Sequence, residues 1–248
     1  MSPELLRKIV DENPADDVTF GYNGEPLLNS QIFEMIKYAK SKGAKTHLTT
    51  NGLLLKENAE KVSESGLDRI VIDLDGATKE TYEKIRVGSN FEKVKEGILI
   101  LSKQSPRPMI VISFVITKYN ESELEGVKKV CNELGADYLV VKKPIEAWGD
   151  TKNILGEQRR TGYAPCEWLD KNFVVQWNGD LGVCCVDIMG ETTVGNLSEN
   201  TIEELRQTDK FKVVSELARK AKLKFCEGCS GGLDTSKSFK IKKKWGLF

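Results

Sequence analysis

The chain has 248 residues, 40% hydrophobic and 30% charged, enough for one globular domain or one domain with a small appendage. Lysine plus arginine equals aspartate plus glutamate at 37 each, so charge gives no global argument for nucleic acid or an acidic membrane as partner. No apolar run approaches the ~20 residues of a spanning helix, and the first residues read as an amphipathic helix rather than a signal peptide, so a cytoplasmic protein is expected. Six cysteines in a reducing compartment argue against a disulfide scaffold and need another explanation.

In chain order, SPELLRKIVDEN puts Leu5, Leu6, Ile9 and Val10 on one helical face, with Ser2 as N-cap and Pro3 at the first helical position. DVTF is a short strand. SQIFEMIKYAKSKG is a helix ending at Gly43, KTHLTT a strand, KENAEKVSESG a helix ending at Gly66, and DRIVIDL a strand. KETYEKIR and SNFEKVKEGILILSK are helical, the second opened by a capping box of Ser89 and Glu92. PMIVISFVI is a strand, ESELEGVKKVCNELG a helix and DYLVV a strand. Five strands alternating with helices predict an α/β fold with a parallel sheet, helices outside, and sites at the carboxyl ends of the strands. Those ends are residues 21–26, 49–52, 73–76, 117–120 and 142–144. After about residue 150 the pattern changes. Residues 151–165 read as a linking loop, NFVVQWNGDLGVCCVD as a hairpin around WNGD, and residues 201–223 as helical, with a capping box of Thr201 and Glu204. The basic tail KSFKIKKKWGLF reads as a solvated terminus.

The cysteine spacing is the most informative pattern. Cys166 is followed by twelve residues, Gly179, four residues and Cys184; Cys226 and Cys229 follow as a C-x-x-C pair. The hairpin and the helical return would bring these four thiolates to one centre, either zinc or an iron–sulfur cluster. Cys184 and Cys185 are neighbours on a predicted strand, so only one should face the centre, and the spacing to Gly179 selects Cys184. Cys131 falls on the apolar face of its helix with Leu124, Val127 and Leu134 and reads as a buried structural thiol. His47, inside a strand, reads as a structural histidine.

Four features together resemble the radical S-adenosylmethionine enzymes, in the branch with a carboxy-terminal SPASM or twitch domain. GYNGEP is similar to that family's G-G-E-P segment, THLTTNG to its third strand and loop, and VIDLDGATKETYEKIRVG to its fourth strand and following helix. The Cys166–Gly179–Cys184 pattern is similar to the opening of a SPASM domain. The resemblance implies a partial (β/α) TIM-like barrel of parallel strands, its first strand missing, over residues 1–150. A small subdomain with a β-hairpin and helices would follow over residues 151–248. No cysteine follows Cys229, which implies the shorter twitch arrangement, with Cys166, Cys184, Cys226 and Cys229 ligating one auxiliary 4Fe–4S cluster.

For the S-adenosylmethionine cofactor, the resemblance implies Gly24, Glu25 and Pro26 as the cradle of its amine, with Asn51 in the neighbouring loop. It places Asp73 at the ribose, Arg86 at the carboxylate, Asn120 at the cofactor or capping the next helix, and Val140 and Val141 at the adenine. Trp148, Arg160, Tyr163 and Trp168 lie where the linker would cover the barrel mouth. The family's C-x-x-x-C-x-x-C loop for the catalytic cluster is not in this sequence. The chain is therefore expected to be either a fragment or a natural relative without radical chemistry, and the intact downstream pockets favour the fragment. A complete relative would abstract hydrogen with a 5′-deoxyadenosyl radical, its auxiliary cluster accepting an electron. The substrate would be alcohol-like, sugar-like or peptide, and the electrons would come from a reductase or flavodoxin-type donor. The alternatives are a non-catalytic iron–sulfur electron-transfer or binding protein and a zinc-stabilised domain.

Overall fold

A computed structural model describes residues 1–21, 23–142, 166, 168–226, 229 and 237–241. The chain divides into two compact units, residues 15–143 with 236–248, and residues 1–14 with 144–235. It crosses between them at 14/15, 143/144 and 235/236, where the sequence predicts one boundary at 150/151.

In the first unit the expected alternation is present. Strands β1 (Asp17–Phe20), β2 (Lys45–Thr50), β3 (Arg69–Asp73), β4 (Met109–Val115) and β5 (Tyr138–Lys142) pair in sequence order, all parallel. Between them run α2 (Ile32–Ser41), α3 (Leu55–Glu64), α4 (Lys79–Ile85), α5 (Phe91–Ser102) and α6 (Leu124–Glu133). Alternating side chains divide the sheet. One face carries Leu48, Ile70, Ile72, Ile110, Ile112, Phe114 and Leu139, all fully buried, and Ile72 and Val94 of α5 both crowd Gly52. The other face carries His47, Val71, Asp73, Ser113 and Val140, and it is less uniformly apolar and less completely buried.

Local chemistry fixes the helix ends. Gly43 and Gly66 take the left-handed conformation after α2 and α3, at φ +91° and +75°. The cap of α5 differs from the predicted one: Asn90, not Ser89, accepts from the backbone N–H of Lys93 at 2.9 Å. Ser89 instead donates its hydroxyl to that of Tyr82, 2.9 Å away. An amide acceptor one residue later takes the place of the expected box.

The basic tail departs from its reading where it is described; its residues 242–248 lie outside the described ones. Residues Lys237–Lys240 form a strand, β9, antiparallel to β5, with Phe239 opposite Leu139. Lys128 of α6 sits 4.5 Å above the Phe239 ring, so this segment covers the β5 edge instead of lying in solvent.

In the second unit, α1 (Pro3–Glu12) is capped by Ser2 as predicted, with Leu6, Ile9 and Val10 buried. Its Lys8 ammonium donates to the carbonyls of Leu197 and Ser198, each at 2.9 Å. The hairpin is present as β6 (Val174–Val175) and β7 (Asp180–Gly182), turning at Gly179 with φ +93°. A third strand, β8 (Thr193–Asn196), pairs with β7, and the helices α7 (Ile202–Gln207) and α8 (Asp209–Arg219) follow. Thr201 and Glu204 make the predicted capping box. Ile9, Leu181, Val194, Leu205 and Phe211 share one apolar core. Among the described residues no helix is long and apolar enough to cross a membrane.

Candidate functional site

Two constellations stand out, one in each unit. The first lies at the carboxyl ends of β1 to β4. Glu25 caps a 3-10 turn, Pro26–Leu28: its Oε1 accepts from the Leu27 N–H at 3.1 Å and from the Thr50 hydroxyl at 2.7 Å. Its Oε2 accepts from the Asn51 N–H at 2.8 Å. The carboxylate thus ties the loop after β1 to the loop after β2, and three of its roughly four lone-pair sites are used within the protein. Asn51 closes its own turn, its side-chain oxygen accepting from the Leu53 N–H at 2.9 Å. The bare backbone of GYNGEP has a local cause at Gly21. Its φ is +90°, and a Cβ there would stand 2.6 Å from the Thr49 carbonyl oxygen. Gly24 also has positive φ, +89°, but faces open space.

Asp73, expected at a ribose, and Arg86, expected at a carboxylate, are found paired. Arg86 Nη2 lies 3.1 Å from Asp73 and its Nε donates to Asp75 at 2.7 Å. Asp75, singled out by nothing in the sequence, is buried. Burial pushes its carboxyl above the usual range, against the opposing pull of Arg86. Its other oxygen accepts from the Val115 N–H at 2.7 Å, tying β3 to β4.

Asn120 is fully buried, and its side-chain amide is fully used. Nδ2 donates to the carbonyls of Asp75 and Val115 at 3.0 and 2.9 Å, and Oδ1 accepts from the Thr117 N–H and hydroxyl at 2.6 and 3.2 Å. It makes no side-chain cap to the turn that follows. Its two donors and two lone pairs are engaged within the protein, so Asn120 staples the loops after β3 and β4 together.

Ser113 was missed. It lies in register between Asp73 and Val140 on the face away from the helices, and its buried hydroxyl has no hydrogen-bond partner among the described residues. Inside a run of apolar residues a single hydroxyl carries little signal; its alternate position on the strand is the one cue the sequence holds. His47 pairs with Asp17, Nε2 to Oδ1 at 2.6 Å, as a histidine of the sheet. Trp148, Arg160 and Tyr163 lie outside the described residues, and Trp168 opens a short 3-10 turn.

The second constellation is a cavity in the other unit, lined by Cys166, Cys184, Cys185, Cys226 and Cys229 with Val183, Val186, Ala218, Leu223 and Phe225. The topology explains the meeting. The chain leaves β7 at Gly182 and turns at once, and α8 carries it back to the C-x-x-C segment. Burial pushes the Cys184 thiol up to about 12, and Cys185 and Cys229 act in the same direction. The backbone of Val186 and Asp187 opposes this and pulls the thiol down. Cys226 is raised by burial first and then by Cys229 and Cys166.

Cys184 and Cys185 do not lie on a strand, contrary to the expectation from the sequence. β7 stops at Gly182, and both residues lie in a turn closed by the Asp187 N–H on the Cys184 carbonyl at 3.3 Å. Strand alternation does not apply, and both side chains line the cavity. Among the described residues no three histidine, cysteine, aspartate or glutamate side chains draw together as ligands of a single metal ion. Cys131 lies elsewhere, fully buried on α6.

Comparison with known proteins agrees with this layout. The family profile described as the radical SAM superfamily matches residues 1–131, and the one described as an iron–sulfur cluster-binding domain, SPASM, matches residues 166–230. A probable GTP 3′,8-cyclase of Methanococcus maripaludis is 36% identical over 149 residues, 57% of this chain and 48% of that protein. One from Sulfurisphaera tokodaii is 37% identical over 117 residues, 47% of this chain and 37% of that protein. The chain thus spans about half the length, or less, of these relatives. Among solved structures, anSMEcpe with bound AdoMet superposes with a TM-score of 0.64 at 18% identity, covering 92% of this chain and 79% of that one. BtrN in complex with AdoMet and 2-DOIA gives 0.53 at 16%, covering 93% and 80%. These neighbours share the partial barrel of parallel strands. The two profiles imply 4Fe–4S clusters and S-adenosylmethionine as cofactors. With the first profile running over more than half of its residues, the chain belongs to the radical SAM superfamily and carries its iron–sulfur cluster-binding SPASM domain.

Proposed function

We propose that this chain supplies the cofactor cradle and the auxiliary cluster site of a radical S-adenosylmethionine enzyme acting on a small molecule or a peptide. The observation that carries this reading is the gathering of five cysteines, from segments 63 residues apart at the extremes, around one cavity within the SPASM match. Cys166, Cys184, Cys226 and Cys229 are the ligand set. Thiolates suit both zinc and iron–sulfur clusters. A cluster gives each thiolate its own iron, so its ligands need not converge on one point, as a tetrahedral zinc with bonds of about 2.3 Å demands. The apolar lining from Val183, Val186, Leu223 and Phe225 limits water at the site. Bound there, a fully ligated cluster supplies one-electron chemistry, which suits a net two-electron oxidation of an alcohol-like, sugar-like or peptide substrate.

In the sheet unit, Gly24, Glu25, Pro26 and Asn51 form the amine cradle. The Glu25 carboxylate acts mainly by fixing the loops, so that backbone carbonyls meet the ammonium. Asp73 and Ser113, adjacent on one face, are the ribose contacts, and Arg86 holds Asp73 in place. The 248 residues contain no C-x-x-x-C-x-x-C loop, and no step through a catalytic cluster is assigned to them.

Anaerobic reconstitution with iron and sulfide tests the reading. The expected result is about four irons and four sulfides per chain with broad visible absorption, lost in Cys166→Ala and in Cys226→Ala. Colourless protein binding one zinc would overturn it.

A further inference from the structure

Asp75 follows β3 by two residues and is buried. Taking a carboxylate out of water is costly, and the attraction of a buried guanidinium roughly offsets that cost, so the pair adds little net stability. What it adds is direction. Asp75 Oδ1 accepts from the Val115 N–H at 2.7 Å, two residues beyond Ser113 on β4. Oδ2 accepts from Arg86 Nε at 2.7 Å, and the same guanidinium reaches Asp73 through Nη2 at 3.1 Å. Arg86 is fixed at its backbone as well, where its N–H closes the end of α4 on the Tyr82 carbonyl at 2.8 Å. One carboxylate therefore holds two strand ends: β4 directly, and the Asp73 side chain through a planar fork that a lysine does not provide. Asp73 and Ser113 are register partners, and the Leu74 N–H donates to the Ser113 carbonyl at 2.9 Å. Both side chains keep open capacity. Asp73 is engaged at Oδ2, with no other partner among the described residues, and the Ser113 hydroxyl has none there.

Resting on the ribose contacts proposed above, we infer that Asp75 is a positioning residue, which sets the spacing of Asp73 and Ser113 so that together they receive the two hydroxyls of a ribose. Asp75 itself does not touch the ligand. Through Arg86 it aims the Asp73 carboxylate, and through Val115 it keeps β4 in step with β3 at the level of Ser113. A sugar without those hydroxyls gains nothing from the alignment, which separates this role from simple bracing of the loops.

The test is the binding of adenosine and of 2′,3′-dideoxyadenosine to the full chain by isothermal titration, with thermal midpoints recorded alongside. The wild-type chain should prefer adenosine by about tenfold or more, the factor expected for a hydrogen bond to a charged acceptor. Asp75→Asn leaves one acceptor oxygen for Val115 and turns an amide donor toward Arg86. Its preference should fall to about twofold or less, through weaker adenosine binding, while the dideoxy nucleoside binds as before. Arg86→Lys keeps the charge but loses the fork; it should lose the preference in the same way, and it decides the matter if Asp75→Asn does not fold. The inference is overturned if a folded variant keeps the wild-type preference, including the case in which both nucleosides weaken by the same factor, as bracing alone would cause. A wild-type chain that does not tell the two nucleosides apart sinks the ribose contacts themselves, so the two failures are distinct.

Discussion

Gly21 and Gly24 both have positive φ, yet the structure asks different things of them. An alanine at 24 meets none of the described residues within 4 Å and carries only the left-handed penalty, about 1–2 kcal/mol. An alanine at 21 adds a contact of 2.6 Å with the Thr49 carbonyl, so about 2–4 kcal/mol is expected. Urea unfolding of the two variants checks the order. Asn120→Ala should cost about 2–4 kcal/mol in the same assay, because the Thr117 N–H and two carbonyls lose a buried partner, while the affinity for S-adenosylmethionine changes only as far as the loops loosen. A loss of affinity with unchanged stability would show that the amide touches the cofactor after all. Cys131 is the control thiol. Burial raises it to about 12, leaving about one thiolate in 10,000 at pH 8, so iodoacetamide should spare it until the protein is unfolded.

The parallel strands and their helices were legible because each carries its own signal: apolar periodicity, a cap, and glycine after the last turn. The hairpin was legible for the same reason, since WNGD marks its turn locally. What escaped depends on contacts distant in sequence. Residues 237–240 look solvated as a string, and only the β5 edge and Lys128 make them a strand. β8 is four residues with one buried side chain, too short to show alternation. Within the candidate site, the cysteine spacing foretold the gathering, but the place where β7 ends did not show, and with it went the status of Cys185. The pairing of Arg86 with both aspartates was likewise invisible, because a charged residue at a helix end reads as solvated until its partners are seen. Element packing gives its own test. A Cβ on Gly97 of α5 would stand 2.8 Å from the Lys56 nitrogen of α3, so Gly97→Val should push these helices apart and cost about 2–3 kcal/mol, read as a lower thermal midpoint.

At the scale of the molecule, the chain passes three times between its two units, so neither is a continuous stretch of sequence. The helix at the amino end shares its core with the cysteine unit, and the strand at 237–240 completes the edge of the sheet unit. Each unit thus takes a segment that a linear division would give to the other. The functional account rests on the cysteine unit enclosing iron and sulfide together, not a single ion. X-ray absorption at the iron and zinc edges of the reconstituted chain measures this directly. The account predicts iron with a sulfur-only first shell and a short iron–iron vector; a zinc-edge signal of four sulfurs at about 2.3 Å with no neighbouring metal would contradict it.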